Sequence, residues 1–177
     1  FSKFLRPAKI SKDSSHDIDF IIHALNWLKK RENFTPDLIL HLRPTSPLRK
    51  IKDITKALKI VSKFKHVDSL KSINLLDMPA EKLWFLKKNK LLKAVFKNKK
   101  FKEAHNMPRQ LLSSCYMQNA LFDIYRTNVI KKKNILHGEN IFGYITSENL
   151  DIDNKKDIKN FKSRIKSFKQ FIKYIEN

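Results

Sequence analysis

Residues 38–42 (Leu-Ile-Leu-His-Leu) form a short, nearly continuous apolar run that stops before Pro44. A run of this kind is typical of a strand that is covered on both faces, as in a parallel sheet. Amphipathic patterns flank it, because apolar residues recur at helical spacing over residues 18–28 and again over residues 51–64. A second strand is expected at residues 67–73, and the order helix, strand, helix, strand predicts an α/β domain with right-handed crossovers.

The rest of the chain adds two more predicted strands, at residues 120–125 and 141–146, and a closing helix. The helix is predicted over residues 158–175, where apolar residues recur every three or four positions as a single stripe. Residues 79–104 interrupt this order with Lys-rich, partly aromatic sequence, which predicts a projecting hairpin or a partner-facing element. The 177 residues are therefore interpreted as a single domain with a small insertion at residues 79–104.

The formal net charge of +21 suggests a polyanionic partner, because clustered cations release counterions from nucleic acid. Only seven of the 38 basic residues are Arg, however, and the lysines are spread through every segment. A solvated Lys-rich surface is the favoured interpretation, and a true polyanion-binding face is the alternative. A nucleic-acid partner is therefore disfavoured.

Other features exclude several classes of protein. Cys115 is the only cysteine, so no intramolecular disulfide framework is possible, and the six histidines lack the spacing of zinc ligands. No stretch approaches ~20 apolar residues, so neither a membrane span nor a membrane partner is expected, and a cytoplasmic location is predicted. Phe1 stands where a start codon would place Met, so the chain is interpreted as lacking an upstream segment.

The turn after the first predicted strand carries the most informative chemistry. Arg43, Thr45, Ser46 and Arg49 alternate there with two prolines. In an open α/β sheet, ligands bind outside the carboxyl ends of strands. The prolines fix the backbone, while the hydroxyl and guanidinium groups remain able to donate hydrogen bonds to a base, a ribose or a phosphate. A rigid polar turn with a structural role is the alternative.

Five segments in this order resemble the acylneuraminate cytidylyltransferase family. They are Arg-Pro-Ala at 6–8 with Asp13, Pro-Thr-Ser-Pro-Leu-Arg at 44–49, Pro-Ala-Glu-Lys-Leu-Trp at 79–84, Pro-Arg-Gln-Leu-Leu at 108–112 followed by Tyr116 and Asn119, and Asp-Ile-Asp at 151–153 with Asp157. The resemblance implies a Rossmann-like nucleotide-diphospho-sugar transferase fold, a three-layer sandwich around a mostly parallel sheet. It also implies transfer of CMP from CTP to a nine-carbon 2-keto-3-deoxy sugar acid, with release of pyrophosphate, by a homodimer.

The resemblance also assigns roles to matching residues. Asp151 and Asp153 project to one side of an extended segment and are implied to bind Mg²⁺, which bridges to phosphate oxygens. The alternative is that Asp153 or Asn154 caps the following helix, with Asp157 near its positive end.

The other matching residues are implied to bind substrate. Lys82 and Arg109 are expected to bind the sugar carboxylate or the phosphates, with Arg109 also serving catalysis. Gln110 and Asn119 are suited to sugar hydroxyls. In the family, such residues can reach across a dimer interface, and the insertion at residues 79–104 is expected to form that interface.

Three residues in the matching segments differ from those of the family, and one of the differences concerns the sugar acid that is expected as substrate. Arg43 stands where many members have Gln, and Ala120 stands where the family has Gly. Asp123 stands where several sialic-acid enzymes have Tyr, so the sugar is expected to be a bacterial relative such as legionaminic or pseudaminic acid.

The family's glycine-containing phosphate loop and first strand are missing, because Gly138 and Gly143 are the only glycines. The chain alone is therefore expected to be inactive, with an exposed sheet edge. Three alternatives stay open. They are an enzyme that activates the eight-carbon acid KDO, a basic RNA-associated module, and a non-catalytic remnant.

Overall fold

The computed structural model describes residues 4–147 and 150–177. The elements, in chain order, are α1 (Asp17–Glu32), β1 (Leu38–His41), α2 (Ile51–Lys63), β2 (Ser69–Leu75), β3 (Trp84–Leu86), β4 (Leu92–Ala94), β5 (Tyr116–Arg126), α3 (Thr127–Lys133), β6 (Ile141–Ile145), α4 (Lys155–Arg164) and α5 (Phe168–Glu176). Four short 3-10 turns connect them. The prediction of a mixed α/β domain is confirmed.

A four-stranded open sheet has the order β1-β5-β2-β6. Strands β1, β2 and β6 point the same way, and β5 runs against both of its neighbours, so two ladders are antiparallel and one is parallel. A mostly parallel sheet was predicted, but only one of these three ladders is parallel, because β5 runs antiparallel between β1 and β2. This orientation of β5 was not predicted. Its cause is topological, because residues 76–115 leave the sheet at the end of β2 and return to the same edge, where Leu75 pairs with Tyr116.

Helices cover both faces of the sheet. On one face, Ala57 and Val61 of α2 pack without solvent exposure against Leu70 and Ile124. On the other face, α1 and α3 enclose Tyr125. Leu38 and Leu40 pack against the first of these clusters and Ile39 against the second, so both faces of β1 are partly covered, in agreement with its nearly unbroken apolar run. The helix α1 ends where Asn33 adopts a left-handed backbone (φ 48°), which is a common way to terminate a helix.

A bulge deforms the middle of β5. The pairing register jumps from Lys71 opposite Asp123 to Ile73 opposite Gln118, so residues 119–122 all oppose Ser72. The hydroxyl of Ser72 accepts a hydrogen bond from the backbone N–H of Phe122 at 3.1 Å. Bulges re-aim side chains beside functional sites. Here the bulge lies next to the turn that follows β1.

The predicted terminal helix is wrong in one respect, because α4 and α5 replace a single helix. The Ser167 hydroxyl accepts from the N–H of Gln170 at 3.2 Å, and the Gln170 side chain accepts from the N–H of Lys166 at 2.8 Å. These bonds cap a new helix start without proline or glycine. The break allows Ile165 to pack with Leu48 and Leu150 in a separate core cluster.

Strands β3 and β4 form a two-stranded hairpin within the predicted insertion. The hairpin prediction is confirmed, whereas its role as an interface stays a prediction. The strands β1 and β6 are the two edges of the main sheet. Among the residues that the structure describes, no helix has the length and apolar content needed to cross a membrane.

Candidate functional site

The carboxyl ends of β1, β2 and β6 lie at one edge of the sheet, because these strands point the same way. Three segments leave this edge, namely the turn after β1, the segment after β2 and the segment after β6. Each of them contains predicted site residues. Asn119 belongs to the same edge because β5 is antiparallel and begins there. The fold therefore gathers residues that are more than 100 positions apart in the sequence.

The turn after β1 is in direct contact with the first predicted metal ligand. The Ser46 hydroxyl donates to Asp151 Oδ1 at 3.0 Å, and the Ile152 N–H donates to the Thr45 carbonyl at 2.8 Å. Ser46 is fully buried, and Leu48 anchors the turn in the core. These two hydrogen bonds involve the successive residues Asp151 and Ile152 and hold their segment against the turn. The Asp151 side chain is therefore oriented by its contact with Ser46.

Arg49 holds the turn to the bulge of β5. Its Nε donates to the Leu121 carbonyl at 2.6 Å, and its Nη2 donates to the Arg43 carbonyl. Burial lowers the pKa of Arg49, and the negative charge of Asp151 opposes that shift. Two of its nitrogens are therefore occupied by backbone, which gives Arg49 a structural function in the turn. Its binding of substrate stays a prediction.

Arg43 is paired with two carboxylates. Its Nη1 donates to Asp123 Oδ2 at 2.9 Å, and its Nη2 donates to Asp17 Oδ2 at 2.5 Å. Burial lowers the pKa of the guanidinium, but the hydrogen bond and the charge of Asp123 outweigh burial and raise it overall. Arg43 therefore stays positive while its charge is largely balanced by the protein.

Asp123 is the centre of a buried polar cluster that the sequence analysis missed. Its side chain is 1% exposed, and it contacts Lys71 Nζ at 3.4 Å and accepts from the Tyr125 hydroxyl at 3.1 Å. Burial raises its pKa, yet the hydrogen bond from Arg43 and the charge of Lys71 dominate and lower it below the ordinary value. The carboxylate is thus ionised.

His41 extends this cluster, since its Nδ1 lies 3.2 Å from the Tyr125 hydroxyl. Burial lowers the pKa of His41, as does the neighbouring charge of Arg43. The sequence did contain a signal for this cluster. His41 is a polar residue within the apolar run of β1, and Asp123 and Tyr125 lie two positions apart on β5. Such residues share one face of a strand.

The alternative reading of the acidic segment, as a helix cap, applies to Asn154 and Asp157. The Asn154 side chain accepts from the N–H groups of Lys156 and Asp157, and the Asp157 carboxylate accepts from the N–H groups of Asp153 and Asn154. These bonds form a capping box at the start of α4. The carboxylate of Asp153 is exposed and is not the cap.

Asp151 and Asp153 are the residues predicted to bind Mg²⁺. Within residues 4–147 and 150–177, no three His, Cys, Asp or Glu side chains are grouped to hold a metal. Mg²⁺ keeps several waters and is usually bound by one or two carboxylates together with substrate phosphates. Asp151 is held by Ser46 and Asp153 is exposed, and their binding of Mg²⁺ stays a prediction.

The remaining predicted residues lie beyond the end of β2. Lys82 Nζ donates to the His105 carbonyl at 3.1 Å. Arg109 and Gln110 are exposed and line a cavity of about 380 Å³ together with Asp77 and Cys115. Within the described chain no hydrogen bond or ion pair joins these three residues to the turn after β1, so a shared site with that turn stays a prediction.

Asn119 lies in the bulge of β5. Its side-chain amide donates to the Thr146 hydroxyl at 2.6 Å, which joins the β5 bulge to the end of β6. Asn119 is buried, and its side-chain oxygen also accepts from the N–H of Leu121 at 3.4 Å.

No protein-family model matches the chain, and no curated protein matches it either.

Proposed function

We propose that the protein is a cytidylyltransferase with a Rossmann-like nucleotide-diphospho-sugar transferase fold. In this proposal it transfers CMP from CTP to a nine-carbon 2-keto-3-deoxy sugar acid of the sialic, legionaminic or pseudaminic type. The main support is the contact between the turn after β1 and Asp151. This contact joins the turn proposed to bind the nucleotide to the acidic segment proposed to bind Mg²⁺. Both lie at the edge of the sheet where α/β proteins bind ligands.

The reaction requires alignment and charge neutralisation more than covalent help from the protein. The anomeric hydroxyl attacks the α-phosphate, and pyrophosphate leaves. Bound Mg²⁺ would neutralise phosphate charge, and Asp151 and Asp153 are the residues proposed to hold it. Ser46 orients Asp151, and Arg49 keeps the turn at a fixed distance from β5.

The sugar acid is proposed to lie toward the segment after β2. Arg109 offers a planar pair of donors for a carboxylate, and Gln110 offers both a donor and an acceptor for hydroxyls. Their exposure and the cavity that they line support this assignment. Lys82 is an additional cation at the same end of the sheet.

A homodimer is proposed through the hairpin of β3 and β4. Its apolar side chains are largely exposed, including Phe85 at 58%, Leu86 at 63% and Leu92 at 58%. An isolated two-stranded hairpin is only marginally stable in water, so a partner surface that covers this face would stabilise it.

The experiment is an assay of the complete gene product with CTP, Mg²⁺ and a panel of nine-carbon and eight-carbon sugar acids. CMP-sugar and pyrophosphate are expected with a nine-carbon acid. Product with KDO alone would replace the proposed substrate, and absence of product with every acid would reject the proposed function. The 177-residue chain is expected to be inactive by itself, because it contains no glycine-containing phosphate loop.

A further inference from the structure

Lys71 is a charged residue in the middle of the main sheet that the site described so far does not use. It lies on β2, and its side chain is 20% exposed. Lys71 is paired with Asp123 of β5, which is paired with His41 of β1, so the three residues form one polar row across the sheet. Paired residues present their side chains to the same face of a sheet. The row therefore lies on the face that α1 covers, where Tyr125 also lies.

A buried carboxylate holds the Lys71 side chain in place. Nζ lies 3.4 Å from Asp123 Oδ1, and the Asp123 side chain is 1% exposed. The other oxygen, Asp123 Oδ2, accepts from Arg43 and from the Tyr125 hydroxyl. A lysine ammonium has three N–H donors. Within residues 4–147 and 150–177, Asp123 is the only partner of this ammonium group, so Lys71 keeps free donors on a side chain that is already positioned.

The charges around Lys71 balance. Arg43 is paired with both Asp17 and Asp123, so two cations share two carboxylates. Burial lowers the pKa of His41, so this neighbour adds no charge at neutral pH. A ligand anion at Lys71 would lie beside the ionised Asp123, and the two negative charges would repel each other. The arrangement therefore favours a neutral acceptor group at Lys71.

Among neutral acceptors, a carbonyl oxygen fits these donors better than a hydroxyl group. A hydroxyl both donates and accepts hydrogen bonds. The carboxylate in contact with Lys71 is closed to a ligand hydroxyl, because Asp123 is 1% exposed. The hydrogen of that hydroxyl would lack an acceptor, which costs binding free energy. The carbonyl oxygen of an acylamino group only accepts, so it leaves no donor unpaired.

Lys71 lies on the same face of β2 as the cavity proposed for the sugar acid. Side chains alternate along a strand, so Lys71 and Leu75 share one face. Leu75 lines the cavity together with Arg109. Four residues of strand span about 13 Å, a gap that the long lysine side chain shortens. A sugar acid whose carboxylate binds Arg109 can thus extend along this face toward Lys71.

We propose that Lys71, held by Asp123, binds the acylamino carbonyl of a nine-carbon sugar acid and thereby selects acids that carry this group. The inference rests on the proposed function and names the part of the sugar that is recognised. The eight-carbon acid KDO has no acylamino group, so it lacks the acceptor that Lys71 requires.

The test is calorimetric titration of the complete gene product with N-acetylneuraminic acid and with deaminoneuraminic acid, which has a hydroxyl in place of the acetylamino group. The first acid is expected to bind about tenfold more tightly, the usual effect of one hydrogen bond to a charged group. Lys71→Met, which has a side chain of similar length without donors, should remove this preference. Lys59→Met is the matched control, because it makes the same change at an exposed position of α2, on the opposite face of the sheet. It should keep the preference.

Equal affinity of the wild type for the two acids, or an unchanged preference in Lys71→Met, would overturn the proposal. If Lys71→Met does not fold, Lys71→Gln takes its place under the same criterion, since Gln keeps a polar partner for Asp123 but no charged donor. Binding is measured without CTP, so it does not require turnover. A Lys71-dependent preference without CMP transfer to any acid would reject the proposed reaction alone, and turnover without the preference would reject this inference alone.

Discussion

Ala120 occupies a backbone conformation that costs an alanine free energy, and Ala120→Gly should therefore stabilise the protein. Its φ of 58° lies in the left-handed region, inside the bulge of β5. An L-residue with a Cβ atom loses about 1–2 kcal/mol there, because Cβ approaches the following carbonyl oxygen. Glycine avoids that clash and loses about 0.5–1 kcal/mol more backbone entropy on folding than alanine does.

The difference between these two effects is a net gain of about 0.5–1 kcal/mol in the free energy of unfolding. For a chain of this size, a change of 1 kcal/mol shifts the melting temperature by about 2–4 °C, so a rise of about 2 °C is expected. Urea denaturation followed by circular dichroism measures the free energy directly, and a thermal melt gives the second value.

The control is the same substitution in a helix. Ala24 lies within α1, where glycine is less favourable than alanine by about 1 kcal/mol, so Ala24→Gly should lower the free energy of unfolding. If Ala120→Gly raises the free energy of unfolding and Ala24→Gly lowers it, the strained backbone at Ala120 is confirmed. A loss of stability in Ala120→Gly equal to that in Ala24→Gly would refute the reasoning, and with it the register of the bulge.

Three further predictions concern the buried cluster, pH and assembly. Asp123→Ala removes the carboxylate that pairs with Lys71 and one of the two that pair with Arg43, so it should lower the free energy of unfolding by about 2 kcal/mol. A loss below about 1 kcal/mol in urea denaturation would contradict this. Burial lowers the pKa values of His41 and His137, so the unfolded chain binds more protons below pH ~6.5 and stability should fall from pH 7 to pH 5. Replacing both histidines with Gln should flatten that slope. By sedimentation velocity, the dimer fraction should rise with salt, because screening reduces repulsion between lysines of the two hairpins, and Leu86→Ser with Leu92→Ser should abolish the dimer.

The strands and helices could be predicted from the sequence where the signal is local. The apolar run of β1 and the periodic patterns of α1 and α2 each report how one segment is buried, and these elements form where they were expected. The seven-residue α3 was missed because it is too short for a periodic pattern.

Features that depend on distant parts of the chain could not be predicted. The direction of β5 follows from where residues 76–115 return to the sheet, which no local pattern records. The break before α5 depends on Ser167 and Gln170 forming caps while Ile165 enters the core, although the apolar stripe continues without interruption.

The candidate site was predicted in part. Motif residues in the turn and at Asp151 were named from the sequence, and the contact of Ser46 with Asp151 joins them. The partners of Arg43 were not foreseen, because Asp17 and Asp123 come from a helix and a strand far from it in the sequence. Side-chain pairing across three elements is a tertiary property.

The most direct test of the proposed function compares two acid-to-amide variants of the complete gene product in a Mg²⁺-dependent assay of pyrophosphate release. Asp151→Asn retains an oxygen that accepts from Ser46, so the fold should be preserved while turnover falls at least about 100-fold through loss of a metal ligand. Glu139→Gln removes a carboxylate that is 81% exposed at the other end of the sheet and should leave turnover unchanged. Near-normal turnover in Asp151→Asn, in a protein that unfolds like the wild type, would contradict the account.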